Sequence, residues 1–111
     1  MADRPPSPDS MNLTPAQRNV RVSLFRFYFD ELPQDIQKLA TKAFNLFCVN
    51  PYHPSLRWHK LKDNKKGSHY PDSFSVSINM QYRAIYFVGN STNVWYWVGT
   101  HAAYNQFTGK S

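Results

Sequence analysis

Residues 73–101 read SFSVSINMQYRAIYFVGNSTNVWYWVGTH, and their alternation decides the fold. Phe74, Val76 and Ile78 alternate with Ser73, Ser75, Ser77 and Asn79, a period of two that sends each set to its own face of a sheet. Tyr82 to Val88 and Val94 to Val98 are β-branched and aromatic runs, the composition of strands packed on both faces. Between them, Gly89 to Asn93 supply residues that tolerate turn dihedrals, so a hairpin is expected. Ile85 and Phe87 share a side with Arg83. The second sheet face is therefore partly apolar and needs a cover, either a partner or the chain's own C-terminal segment.

Upstream lies what this sheet packs against. Pro33 and Asp35 open a helix expected over 33–49. Ile36, Leu39, Ala40, Ala43, Phe44 and Phe47 form its apolar stripe, and Asn50-Pro51 ends it. Before it, Thr14-Pro15-Ala16-Gln17 matches a helix start, whereas Val20 and Val22 alternate with Arg21 and Ser23. A short strand near 19–23 and a helix over 24–32, burying Leu24, Phe25, Tyr28, Phe29 and Leu32, reconcile the two signals. Leu56 to Lys62 reads as extended, and Tyr104 and Phe107 as part of a short closing turn. The expected architecture is α+β: an N-terminal helical hairpin packed on a three- to four-stranded antiparallel sheet.

The chain has 111 residues, 41% hydrophobic and 16% aromatic, enough for one packed domain. Residues 1–13, with Pro5, Pro6 and Pro8 among Ser and Asp, read as a disordered tail, leaving 14–111 as the domain. Neither an 18-residue apolar run nor a signal-peptide apolar region is present, so no membrane partner is expected. Cys48 stands alone in an apolar helical run, which fits a packed thiol in a reducing cytoplasm. Net charge is +6, from 13 Lys and Arg against 7 Asp and Glu, a balance that attracts polyanions. Five of those cations, Arg57, Lys60, Lys62, Lys65 and Lys66, fall within ten residues and are candidates for RNA binding.

No phosphate loop, paired-cysteine motif or nucleophile elbow is present. His53, His59 and His69 lack metal-ligand spacing, so neither a metal nor a cofactor is expected. Arg83, His101 and Tyr104 are the candidate site residues. An arginine can clamp a phosphate, a histidine can pass protons near neutral pH, and a tyrosine can bond a phosphate or stack on a base. Each also has a plain structural alternative: Arg83 pairing with a carboxylate, His101 capping the strand end, Tyr104 packing.

The segments FDELPQDIQK (29–38), NPYHPSLRWHKLK (50–62), FSVSIN (74–79), YRAIY (82–86) and WYWVGTHAAY (95–104) together resemble the RelE/ParE superfamily of toxins over residues 20–107. The resemblance implies a cytoplasmic toxin of a type II toxin–antitoxin module, neutralised and oligomerised by a cognate antitoxin. RelE-like members are metal-independent endoribonucleases that cut mRNA on the ribosome and inhibit translation. ParE-like members share the fold and poison DNA gyrase. On the RelE pattern Arg83 contacts the scissile phosphate, while His101 and Tyr104 complete the catalytic group. Ser75 and Ser77 stand where RelE carries two lysines, a departure that keeps open a gyrase-directed toxin or a non-toxic binding module.

Overall fold

The computed structural model describes residues 15–63 and 66–109; the expected tail over 1–13 and Lys65 lie outside them. In chain order the elements are β1 (Arg18–Arg21), α1 (Ser23–Asp30), α2 (Gln34–Val49), a 3-10 turn (Pro54–Leu56), β2 (His59–Lys60), β3 (Ser73–Ser77), β4 (Tyr82–Gly89), β5 (Thr92–Thr100) and α3 (His101–Phe107). Among the described residues they build one sheet of five strands, ordered β1-β5-β4-β3-β2.

The antiparallel β3-β4-β5 core follows the alternation of the sequence. Ser75 pairs with Ile85 and Ser77 with Arg83 across β3 and β4. Asn90 and Ser91 both take positive φ, 52° and 57°, the conformation of a two-residue turn whose twist matches the flanking strands. Ile85 pairs with Trp97 and Tyr86 with Trp95, so Tyr96 is an extra residue on β5. That bulge lets Tyr96 and Trp97 both pack in the second-face cluster while Trp95 and Val98 pack on the first.

The expected architecture needs three corrections. The sheet has five strands, because β1 adds to β5 in parallel, Val20 opposite Val94, and β2 adds to β3, His59 opposite Ser75. Leu56 to Lys62 is strand at only two residues, since Pro54–Leu56 forms the 3-10 turn and Arg57 follows with φ 46°. The C-terminal segment is a helix rather than a closing turn. Thr100 caps it, its Oγ1 accepting from the Ala103 N–H at 3.1 Å.

The two helices of the expected hairpin form within two residues of their read bounds. With Phe25 and Phe47 they close the first face over Phe74, Val76, Ala84, Tyr86 and Trp95. Tyr86 is fully buried, and its hydroxyl accepts from the Trp58 indole N–H at 2.7 Å. Leu24 is 52% exposed instead of buried, because one residue step turns it about 100° from Phe25. The same offset from Phe47 leaves Cys48 exposed rather than packed.

The chain covers its own second face. Leu61, Ile85, Tyr96, Trp97 and Tyr104 form a separate buried cluster against Phe87 and Phe107. Phe107 stacks on Trp97 at 5.2 Å, and Tyr70 packs on Tyr96 at 4.7 Å. The Ser68 N–H donates to the Phe107 carbonyl at 2.7 Å, tying the loop to the end of α3. Tyr70 stays partly exposed there, and other exposed apolar side chains include Leu24 and Phe27 on α1, Leu39, Phe44 and Val49 on α2, Tyr52 after it, and Met80 in the β3–β4 turn. No helix among the described residues is long and apolar enough to cross a membrane.

Candidate functional site

Arg83, His101 and Tyr104, separated by up to 21 positions in sequence, meet on the second face where β4 begins and β5 passes into α3. Three local features bring them together. Arg83 pairs with Gly99 across β4 and β5. The helix starts at once after β5, with the His101 N–H donating to the Gln81 carbonyl at 2.7 Å. One helical turn later Tyr104 points back onto the sheet, 1% exposed.

Tyr104 is the hub. The Arg83 guanidinium carbon lies 5.1 Å from the centroid of its ring, within cation–π range. The His101 ring lies 5.9 Å from the same centroid at 23°. Its hydroxyl lies 3.4 Å from His59 Nε2. His59 Nδ1 is 3.0 Å from the Arg57 carbonyl, which can only accept. In the matching tautomer Nδ1 carries the hydrogen, and Nε2 accepts a hydrogen bond from the tyrosine O–H. Arg83 Nη1 donates to Ser75 Oγ at 3.2 Å.

The candidates thus differ in what they can meet. His101 is exposed and Arg83 half-buried, so both can face a ligand. Tyr104 is buried, which leaves no ring surface for a base to stack on. The side chain that caps this junction is Thr100, at the start of α3, and not His101. Ser75 and Ser77, at 0% and 4% exposure, put no charge beneath the site.

Sequence reasoning missed His59. Judged only by metal-ligand spacing, it carried no signal. Its place in the alternation beside Leu61 was the available clue, because Leu61 packs into the same second-face cluster that holds Tyr104. Among the described residues no group of three or more His, Cys, Asp or Glu side chains could hold a metal ion.

Four of the five basic candidates are described. Lys62 and Lys66 are exposed. Lys60 lies 3.8 Å from Asp72, with its side chain 37% exposed, a surface pair worth about 0–1 kcal/mol. Arg57 lines a groove of about 650 Å³ with Lys42, Ser77, Asn79 and Met80. Lys60 lies on the edge strand β2 beside His59, whereas Arg57 faces α2 and the β3–β4 turn.

No family model matches the sequence, and no curated protein matches it significantly. Solved structures do match its fold. YafQ from Escherichia coli strain BL21(DE3) superposes with a TM-score of 0.59 at 13% identity, over 78% of this chain and 94% of that one. The RelBE2 toxin–antitoxin complex of Mycobacterium tuberculosis gives 0.56 at 21% identity, over 79% and 100%. The YoeB/ParE toxin of Agrobacterium tumefaciens gives 0.58 at 12% identity, over 76% and 98%. At these identities the likeness is one of fold: this chain has the fold of the RelE/ParE toxins.

Proposed function

We propose that this chain, folded like the RelE/ParE toxins, is the toxin of a type II toxin–antitoxin pair and a metal-independent endoribonuclease acting on mRNA in the cytoplasm. The observation that carries this reading is the convergence of Arg83 and His101 on the buried ring of Tyr104 at one corner of the sheet.

In the reaction a ribose 2′-hydroxyl attacks its own 3′-phosphate. The new P–O2′ bond forms as the P–O5′ bond breaks, leaving a 2′,3′-cyclic phosphate and a 5′-hydroxyl. One proton leaves the 2′-oxygen and one reaches the 5′-oxygen. His101, exposed at the first turn of α3, handles one of them. Arg83 faces the charge that builds on the phosphorane oxygens, its guanidinium held in place by Ser75 and the Tyr104 ring. Tyr104 serves as the platform for both groups. The basic run of Arg57, Lys60, Lys62, Lys65 and Lys66 attracts the RNA backbone, with the salt dependence of phosphate binding. The mRNA is met on the ribosome, and translation stops.

The partner is a cognate antitoxin. Similar structures include toxin–antitoxin complexes from Escherichia coli and Methanococcus jannaschii. Apolar side chains open to such a partner include Phe27 on α1, Leu39 and Phe44 on α2, and Met80 in the β3–β4 turn, while α3 covers the second face. Any higher assembly forms through that partner.

His101→Ala should lower cleavage by about 10²–10⁴-fold, the contribution of one acid–base group. Mapping mRNA 5′ ends after induced expression reads this directly, with circular dichroism to show that the variant folds. Unchanged cleavage removes His101 from the chemistry. A second reading, a non-catalytic toxin acting on DNA gyrase, is favoured by the uncharged, buried Ser75 and Ser77 beside Arg83. Inhibition of gyrase supercoiling by wild-type protein that leaves mRNA intact would select it.

A further inference from the structure

We infer that His59 is a positioning residue of this site, holding Tyr104 so that Arg83 and His101 keep their places; the catalytic part of this rests on the ribonuclease reading above. Four contacts close a circuit on the second face. His59 on β2 is the register partner of Ser75 on β3. Ser75 Oγ accepts from Arg83 Nη1 at 3.2 Å. The Arg83 guanidinium lies 5.1 Å from the Tyr104 centroid. The Tyr104 hydroxyl donates back to His59 Nε2 at 3.4 Å.

Each link depends on the identity of the side chain. Ser75 is small and fully buried, so Arg83 can reach across it. A phenylalanine at 104 would keep the cation–π contact and lose the tie to β2. His59 itself is fixed from the other side, because its Nδ1–H donates to the Arg57 carbonyl at 3.0 Å. The Arg57 backbone that offers this carbonyl has φ 46° and ends the 3-10 turn. His59 thus links the edge strand to α3, which carries His101, through one hydrogen bond from the tyrosine. With both ring nitrogens engaged within the chain, it acts through Tyr104.

This arrangement requires the Nδ1–H tautomer, the less common one for a free imidazole, and ¹⁵N NMR of the full-length chain reads it. Two variants separate positioning from bulk packing. His59→Phe keeps a ring and removes the acceptor. His59→Gln keeps an acceptor, Oε1, at about the reach of Nε2. His59→Phe should move the Arg83 Nε–H and His101 ring resonances and lower kcat about 10²-fold at unchanged KM, the effect of a small misplacement of the reacting groups. His59→Gln should leave those resonances near their wild-type positions and restore cleavage to within a few-fold. An Nε2–H tautomer in the wild type, resonances unmoved by His59→Phe, or equal effects of the two variants would overturn the assignment. If wild-type protein cuts no RNA, the ribonuclease function fails, and the tautomer and resonance shifts alone decide the placement of His59.

Discussion

Gly99→Ala tests the junction on which the site is built. Gly99 lies opposite Arg83 in the sheet, two residues before His101. A Cβ at this position would lie 2.9 Å from Trp97 Cη2 and 3.0 Å from Cζ2, closer than carbon atoms pack. The indole has nowhere to go. It is 6% exposed, stacked on Phe107 at 5.2 Å, with the rings of Tyr104 at 6.3 Å and Tyr28 at 6.4 Å. Overpacking of this kind costs about 1–3 kcal/mol. At about 4–8 °C per kcal/mol for a chain of this size, the melting temperature should fall by about 4–24 °C. Thermal unfolding followed by circular dichroism measures it. The cause is isolated by a double-mutant cycle with Trp97→Phe, which removes the clashing edge of the indole. Trp97→Phe is destabilising by itself, because it leaves a cavity. In its background, however, Gly99→Ala should cost little, giving a coupling of about 1 kcal/mol or more. A wild-type melting temperature for Gly99→Ala, or the same penalty in both backgrounds, would refute the reasoning.

Two further outcomes concern the frame around the site. Asn93 is fully buried; its Oδ1 accepts from the Ala16 N–H at 2.9 Å, and its Nδ2 donates to the Ala16 carbonyl at 2.9 Å and to Asn19 Oδ1 at 3.0 Å. Asn93→Ala should therefore cost about 2–4 kcal/mol in urea denaturation, and a loss below about 1 kcal/mol would show that these bonds do not hold β1. Burial pushes the Tyr86 hydroxyl above the ordinary tyrosine range, outweighing the opposing bond from Trp58, and burial raises Tyr96 as well. A folded-state pKa raised above the unfolded one means stability that is intact below about pH 10 and declines as pH rises beyond it. Phenolate absorbance should show Tyr86 resisting ionisation while the protein stays folded, and its ionisation in folded protein would contradict the packing of the first face.

Much of the fold was legible because it depends on neighbours in sequence. The alternation of Phe74, Val76 and Ile78 with serines, the apolar runs of β4 and β5, and the stripe of α2 are local periodicities, and each formed the element it implied. Asn90 and Ser91 could be read as a turn because their backbone preference is their own. The resemblance in the order of segments gave the same fold that the solved structures share. Arg83, His101 and Tyr104 were legible as residue types suited to phosphate and proton chemistry.

What the sequence could not supply is set by contacts distant along the chain. The parallel union of β1 with β5 depends on Asn93 reaching residues more than 70 positions away. The Tyr96 bulge, invisible in a run of aromatics, decides which rings pack on the second face. The sequence read Tyr104 as part of a short closing turn, but α3 buries it at 1% exposure beneath Arg83 and His101. His59 was discounted for want of metal spacing, yet edge pairing with Ser75 and the fold of α3 give it the tyrosine hydroxyl. Composition and local pattern determine which strands, helices and reactive side chains this protein has. Packing over the second face decides which of those side chains stay open to a ligand, because burial is a property of the assembled sheet and helix rather than of any residue alone.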